Sequence, residues 1–328
     1  MIGKGDWDMA VTKFIIKRII QIIITLILVM AVSYILMYYS PGGFMHTTVM
    51  ATVLAPLQSQ NPILYQQVMD QFQSRYGLNQ PLWHQIFNYV GHELTFNFGN
   101  SMQNPSLSIM SQLKDTLPVS LKLAFGSIFL SVVIGVPFGV IAALKRNTWI
   151  DYALSSVSLA GQAIPSFVLA VIMVLLFGVV FPDILPISGW GSWKDAVLPV
   201  ICLSAANVGV VARYMRGSLI ETMRQDYIRT AKAKGVKYWP MVLKHGVKNS
   251  LTAMITVIGP QFAFTVMGTI WVEQIFGIPG LGKVMQTAFT SFDYPLAITS
   301  VFLLGSMIMV MNLMVDIIYA IIDPRVKL

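Results

Sequence analysis

Six apolar runs, each near or above the roughly 20 residues that cross a bilayer as a helix, leave this chain few ways to fold. They lie at about 14–39, 116–144, 153–181, 196–212, 251–272 and 294–322, the fourth being the shortest and most polar. Hydrocarbon offers no water to satisfy backbone N–H and C=O groups, so spans of this kind are helical. Only 11% of the residues are charged, against about 25% in a soluble domain. The expected fold is an all-α integral membrane protein with six transmembrane helices.

Lys and Arg set the orientation. With the N terminus inside, the inner segments 1–18, 145–151, 213–248 and 323–328 hold 17 of the 22 basic residues. Residues 1–13 are then a cytoplasmic tail and 14–39 the first span. That span is too long for a signal-peptide core, and it ends in the interfacial pair Tyr38-Tyr39. Residues 40–115 form an extracytoplasmic loop of about 75 residues, too long for a plain connector. Helices are expected in it over 62–76 and 81–94, with Pro81 at a helix start. Residues 116–322 are a core of five further spans, and 323–328 an inner tail. The net charge of +8 follows this topology, and no nucleic-acid motif accompanies it. His84 and His92 lack a third ligand, and the single Cys202 reads as a small buried hydrophobe, so no metal site is expected.

Residues 213–248 carry nine of the basic side chains between two spans. Leu219, Met223, Tyr227 and Ala231, with Ile220 and Ile228 alongside, draw one apolar stripe at helical spacing. Arg224, Arg229 and Lys232 lie off it. Gly235 suits the left-handed residue that ends a helix, and Pro240 discourages a restart. The expectation is a short amphipathic helix whose apolar face either rests on anionic lipid or enters a groove on a soluble partner.

Polar residues inside the spans are few. Gln162, Asn207, Gln261 and Asp316 are the candidates for a translocation path, and each could instead bond between helices. Asp316 is the only carboxylate well inside a run. Pro137 (between Gly135 and Gly139), Pro165 and Pro260 are expected to bend their helices. No phosphate-binding Walker loop, metalloprotease motif or nucleophile elbow occurs, so no catalytic residue is assigned and energy must come from a partner.

Asp226-Tyr227-Ile228-Arg229-Thr230-Ala231-Lys232-Ala233-Lys234-Gly235 resembles the "EAA" loop of ABC-importer permeases in its oligopeptide/dipeptide version. Arg229-Thr230-Ala231 stands where the wider family has Glu-Ala-Ala, so the Glu is missing. Glu273-Gln274-Ile275-Phe276-Gly277-Ile278-Pro279-Gly280-Leu281-Gly282 is similar to the signature that peptide-type permeases carry before their last span, where a shaped loop is expected. Asp323-Pro324-Arg325 after that span also fits. The resemblance implies a B-type permease, itself not an enzyme, of a binding-protein-dependent peptide importer in a bacterial or archaeal inner membrane. It implies that Met223 and Asp226, Tyr227, Ile228, Arg229, Thr230, Ala231, Lys232, Ala233, Lys234 and Gly235 form a coupling helix in an ATPase groove. It implies that Glu273, Phe276, Pro279, Gly280, Leu281 and Gly282 form an outer gate or a binding-protein contact. The partners it implies are a second homologous permease chain, two cytoplasmic ATPase subunits holding ATP and Mg, an extracytoplasmic binding protein and a peptide substrate. Read without it, the residues also allow a proton-coupled secondary transporter with Asp316 as carrier, or a non-transporting membrane scaffold.

Overall fold

The computed structural model of the chain describes residues 4–40 and 54–322, and they are helical with no strand among them. Helix α1 (Lys4–Tyr38) is followed by α2 (Ala55–Gln60), α3 (Pro62–Arg75) and α4 (Leu82–Leu94). The long helix α5 (Ile109–Leu144) leads to α6 (Trp149–Ala163) and α7 (Ser166–Leu175), which runs on as a π-turn over Leu176–Val180. Then come α8 (Trp193–Thr222), α9 (Asp226–Ala233) and the single turn α10 (Tyr238–Pro240), continuing through a π-helical stretch (Met241–Val247) into α11 (Lys248–Ile275). Helices α12 (Leu281–Thr290) and α13 (Tyr294–Ile322) complete the fold. The residues 323–328, with the Asp-Pro-Arg tripeptide, lie outside the described residues.

Among the described residues, four helices are long and apolar enough to cross a membrane, or five if α6 and α7 count as one span. The fifth expected span, 251–272, falls within the 28-residue α11. Helices α6 and α7 meet at an angle of 96°. The cause is Pro165: it has no N–H to continue the ladder, and it drives Ile164 into an extended conformation, φ −87° and ψ 117°. So the expected bend is there a full break. Pro137 and Pro260, by contrast, lie inside unbroken helices, as does Pro199.

Two boundaries correct the sequence reading. The fourth span does not stop at 212 but runs ten residues further, to Thr222. Pro240 does not prevent a restart; it occupies the first turn of a new helix, where its missing N–H leaves no bond unmade.

The chain divides into two compact units. One comprises residues 1–16, 119–282 and 307–328, the other 17–118 and 283–306. In the first, α8 is the central element, packed by α6, α7 and α11. A β-carbon on Gly139 of α5 would lie 2.5 Å from the carbonyl oxygen of Ala212, and one on Gly161 of α6 2.7 Å from that of Ala205. Facing them, one on Gly209 would lie 2.1 Å from the Ser158 carbonyl oxygen. These glycines let neighbouring backbones touch α8, the close packing that membrane helices use in place of hydrophobic burial. Cys202 is buried in an apolar cluster with Leu123, Leu198 and Phe276, as a small hydrophobe.

The second unit is tied together by polar groups. Helices α3 and α4 stand where the sequence places them, but the buried face of α4 carries Gln85 and Glu93 beside Val90. Gln85 accepts from the Tyr34 hydroxyl at 2.7 Å and donates to the carbonyls of Leu78 and Gln80. Asp293 caps α13 by accepting from the N–H of Leu296 (3.4 Å), and it also takes the N–H of Met102 (3.0 Å) and the Ser101 hydroxyl. Glu93 is 1% exposed and its Oε2 has no hydrogen-bond partner. Its Oε1 lies 2.6 Å from Thr299 Oγ1, which also sits 2.8 Å from the Pro295 carbonyl. The Thr299 hydroxyl donates to Glu93 and is shared with that carbonyl.

Burial raises the Glu93 pKa to about 7, the Thr299 and Tyr89 hydroxyls opposing it only in part. A raised carboxyl pKa means that the folded state holds a proton the unfolded chain loses above about 4.5. Stability is therefore expected to fall as pH rises from about 4.5 to about 7 and to level off beyond. Thermal unfolding of the purified chain between pH 5 and 8 should show this loss, on the order of 3 kcal/mol in full. Glu93→Gln should flatten the dependence and raise the melting temperature at pH 8.

Candidate functional site

The basic loop builds a small fold of its own. Helix α8 ends at Thr222, and the chain turns over Met223, Arg224 and Gln225 before α9 begins. At the far end of α9 the N–H of Val236 bonds the Ala231 carbonyl (3.2 Å) and the N–H of Gly235 that of Lys232 (3.0 Å). This reciprocal pair is a Schellman cap, and it needs a left-handed residue at Gly235, whose φ is +77°. Val236 then packs back on the helix, beside Ile228, Ala231, Met241 and Met223.

That packing revises how the loop works. The expected stripe assumes one helix from Leu219 to Ala231, whereas the turn at Met223–Gln225 divides it between α8 and α9. Leu219 is buried in a separate cluster with Met215 and Met254. In α9 the buried residues are Ile228 and Ala231, while Tyr227 is 44% exposed. The apolar face is thus consumed by the loop's own core, beneath Met241, and is not available for a groove. What faces outward is Tyr227, Arg229, Thr230, Lys232, Ala233 and Lys234. Asp226 lies 3.6 Å from Arg229, both exposed, so the pair contributes little.

Two cations of α8 anchor this region to α6. Arg216 grips Asp151 with both prongs, Nε to Oδ1 at 2.7 Å and Nη2 to Oδ2 at 2.8 Å. Asp151 is 2% exposed and also accepts from the N–H of Asn147. Arg213 donates to Gln162 Oε1 at 2.6 Å. Sequence reasoning misses the Asp151–Arg216 pair: the partners are 65 residues apart, and neither sits in a motif.

The other candidate path residues are dispersed. Asn207 is buried and donates to the Leu203 carbonyl and to Thr265 Oγ1 (2.7 Å), whose hydroxyl in turn bonds the backbone of Gln261. The structure thus brings Asn207 and Gln261 together where α8 meets α11. Gln162 lies apart with Arg213, and Asp316 is half-buried in α13.

The Gly-Pro segment is organised by Glu273, which is fully buried. Its Oε1 accepts from Ser120 Oγ at 2.5 Å, and Ser120 Oγ accepts from the N–H of Leu281 at 2.8 Å. A second Schellman cap, Ile278 N–H to the Glu273 carbonyl and Gly277 N–H to that of Gln274, ends α11. The chain then folds back so tightly that a β-carbon on Gly280 would lie 2.3 Å from the Glu273 carboxyl carbon. One on Gly282 would lie 2.5 Å from the backbone of Ile270. Phe276, Ile278 and Leu281 are buried and Pro279 is exposed. Glu273 therefore belongs to the last turn of α11, and Leu281 and Gly282 open α12, an amphipathic helix where only a loop is expected. The segment is a clasp around one carboxylate.

A family model described as "Binding-protein-dependent transport system inner membrane component" matches residues 135–328. A dipeptide transport system permease, DppB, of Lactococcus lactis is 34% identical over 316 residues, 96% of this chain and 99% of the relative. An oligopeptide transport system permease, OppB, of Haemophilus influenzae is 36% identical over 317 residues, again 96% and 99%. Among solved structures, an inward-facing MetNI methionine ABC transporter matches with a TM-score of 0.54 at 20% identity, covering 65% of this chain and 97% of that one. The chain belongs to the family of binding-protein-dependent transport system inner membrane components. It is the multi-pass, non-catalytic permease subunit of an ABC importer of the inner membrane, working with an ATPase, a binding protein and a second permease. The secondary-transporter and scaffold readings are thereby set aside.

The clasp makes a specific demand on stability. Gly280→Ala forces a methyl into the Glu273 carboxyl and should cost about 1–3 kcal/mol. Ser120→Ala should cost a similar amount, since it removes the hydrogen bonds that the hydroxyl makes to Glu273 and to the Leu281 N–H. Apparent melting temperatures in one detergent check both; a Pro279→Ala control, at an exposed position, should change little.

Proposed function

We propose that this chain is one of two homologous permease chains that together form the peptide path of the importer, with both its termini in the cytoplasm. In this reading α9 rests its outward face, Tyr227 with Arg229, Lys232 and Lys234, on one of two cytoplasmic ATPase subunits. ATP and Mg are held by those subunits, and this chain carries no cofactor. The observation that carries the proposal is the division of α9: its apolar side is fixed to the permease and its cationic side is left for a partner. The peptide substrate is supported by the dipeptide and oligopeptide systems named for its relatives, which it matches along nearly their whole length.

Force applied to α9 has two exits. Through Met223 it reaches α8, a single 30-residue helix, and through Met241 it reaches α11. The Arg216–Asp151 grip carries the movement of α8 to α6. Closure of the ATPases thus swings these helices together and opens the path toward the binding protein. Gln162, Asn207, Gln261 and Asp316 are the path residues of this reading, and the clasp around Glu273 its outer gate or binding-protein contact.

The two sides of α9 should separate by mutation. Arg229→Glu with Lys232→Glu should leave the chain folded and inserted, yet lower binding-protein-stimulated ATP hydrolysis and labelled-peptide uptake by at least about tenfold in proteoliposomes. Ile228→Asp should lower the melting temperature as well, because it places a charge in the loop's core. Wild-type coupling in the charge-reversed double variant would refute the assignment.

A further inference from the structure

Beside the Arg216–Asp151 grip lies a recess of about 210 Å³ between α5, α6 and α8. One wall is apolar, made of Phe138, Leu154 and Leu159. Arg213 and Arg216 of α8 line the recess as well. Ser158 also lines it; this residue is 6% exposed, and its hydroxyl has no hydrogen-bond partner. A buried hydroxyl left unmatched costs about 1–3 kcal/mol, so an unfilled site of this kind calls for a ligand acceptor or donor. Arg213 spends one nitrogen on Gln162 and keeps further donors, and its side chain is exposed. Leu159, 54% exposed, leaves the rim open to the surface.

The neighbourhood fixes the depth of this recess. Trp149 and Tyr152, 77% and 65% exposed, stand on the first turn of α6, and aromatic side chains of this kind gather at the headgroup level of a bilayer. Ser158 lies six residues further along the helix, roughly 9 Å deeper. Lys145 and Arg146, exposed in the α5–α6 turn, add positive charge on the headgroup side, and Asp151, the acid closest in the chain, is already neutralised by Arg216. A site that combines two guanidinium side chains, a buried hydroxyl and apolar side chains, near the helix end marked by Trp149 and Tyr152, matches one molecule in its surroundings. We propose that the recess binds an anionic phospholipid, its phosphate on Arg213 and the free edge of Arg216, its glycerol oxygens toward Ser158, and an acyl chain along Phe138, Leu154 and Leu159. The volume is below the roughly 300 Å³ of usual small-molecule pockets, which favours a headgroup and chain segment over a peptide. Seated there, the lipid braces the junction through which α8 moves α6. The proposal rests on the orientation given above only for which leaflet supplies the lipid.

The test reads lipid directly. The full transporter, with its ATPase and binding-protein partners, is placed in nanodiscs of phosphatidylglycerol and phosphatidylcholine, stripped in mild detergent, and the lipid remaining on this chain is identified by native mass spectrometry. The wild type should retain phosphatidylglycerol over phosphatidylcholine. Arg213→Gln should reduce that retention about fivefold, the effect of one basic residue at an anionic surface. Arg213→Lys should restore part of it, and Leu159→Trp, which fills the rim without touching the charge, should reduce it. Equal retention of both lipids by the wild type overturns the proposal without any variant. So does unchanged phosphatidylglycerol retention in Arg213→Gln, or retention of a peptide in place of phospholipid. Labelling a cysteine placed at Arg146 with an impermeant maleimide decides the leaflet separately, so an error in orientation and an absent lipid site give different results.

Discussion

Everything in the first unit is hung on α8, and α8 is held by contact between backbones. In hydrocarbon an exposed leucine loses nothing, so apolar burial gives helices little reason to associate. Here the reason is proximity: Gly139, Gly161 and Gly209 remove the side chains that would keep α5 and α6 away from α8. Dispersion acts over the whole seam, Arg213 to Gln162 adds a polar bond across it, and Asn207 to Thr265 ties α8 to α11. At one end the seam finishes in the two-pronged Arg216–Asp151 pair. Past that pair the chain turns over Met223–Gln225 into the element attached to the end of α8.

What is attached is α9, and its design reverses the usual amphipathic docking helix. A free apolar face would be drawn to lipid or to any hydrophobic groove. By folding Ile228 and Ala231 onto Met241, the chain encloses the apolar side of the loop and leaves Tyr227 and the cations exposed. In the coupling role proposed above, electrostatic contacts of that kind give selectivity and fast association. The same economy recurs in the Schellman caps at Gly235 and Gly277, and in a third at Gly77, where Leu78 bonds the Gln73 carbonyl and Gly77 that of Ser74. Each turns the chain sharply with its backbone groups satisfied.

The long apolar helices, the helices α3 and α4 and the helix stop at Gly235 were legible because each has a local cause: hydropathy over about 20 residues, Pro81 before a helix, a position needing positive φ. The end of α8 was not. Arg213 and Arg216 read as the start of a loop because charges are excluded from spans, yet each is matched by a partner on α6 that spacing cannot reveal. The stripe from Leu219 to Ala231 misled for a related reason: three non-helical residues reset the phase, so Ile228 and not Tyr227 faces inward. Glu273 belonged to a legible motif, but that its carboxylate is enclosed by Gly280 and Gly282 depends on a fold-back that only coordinates display.

The 96° break between α6 and α7 has a consequence for solvent. In an intact helix the carbonyl of Gly161 would receive the N–H of residue 165, but that residue is proline. Oil cannot supply the missing donor. Non-helical backbone at membrane depth survives only against protein or beside a wetted cavity. The corner at Ile164-Pro165 therefore marks a place where the membrane interior has to admit either a neighbouring polar group or a molecule of water.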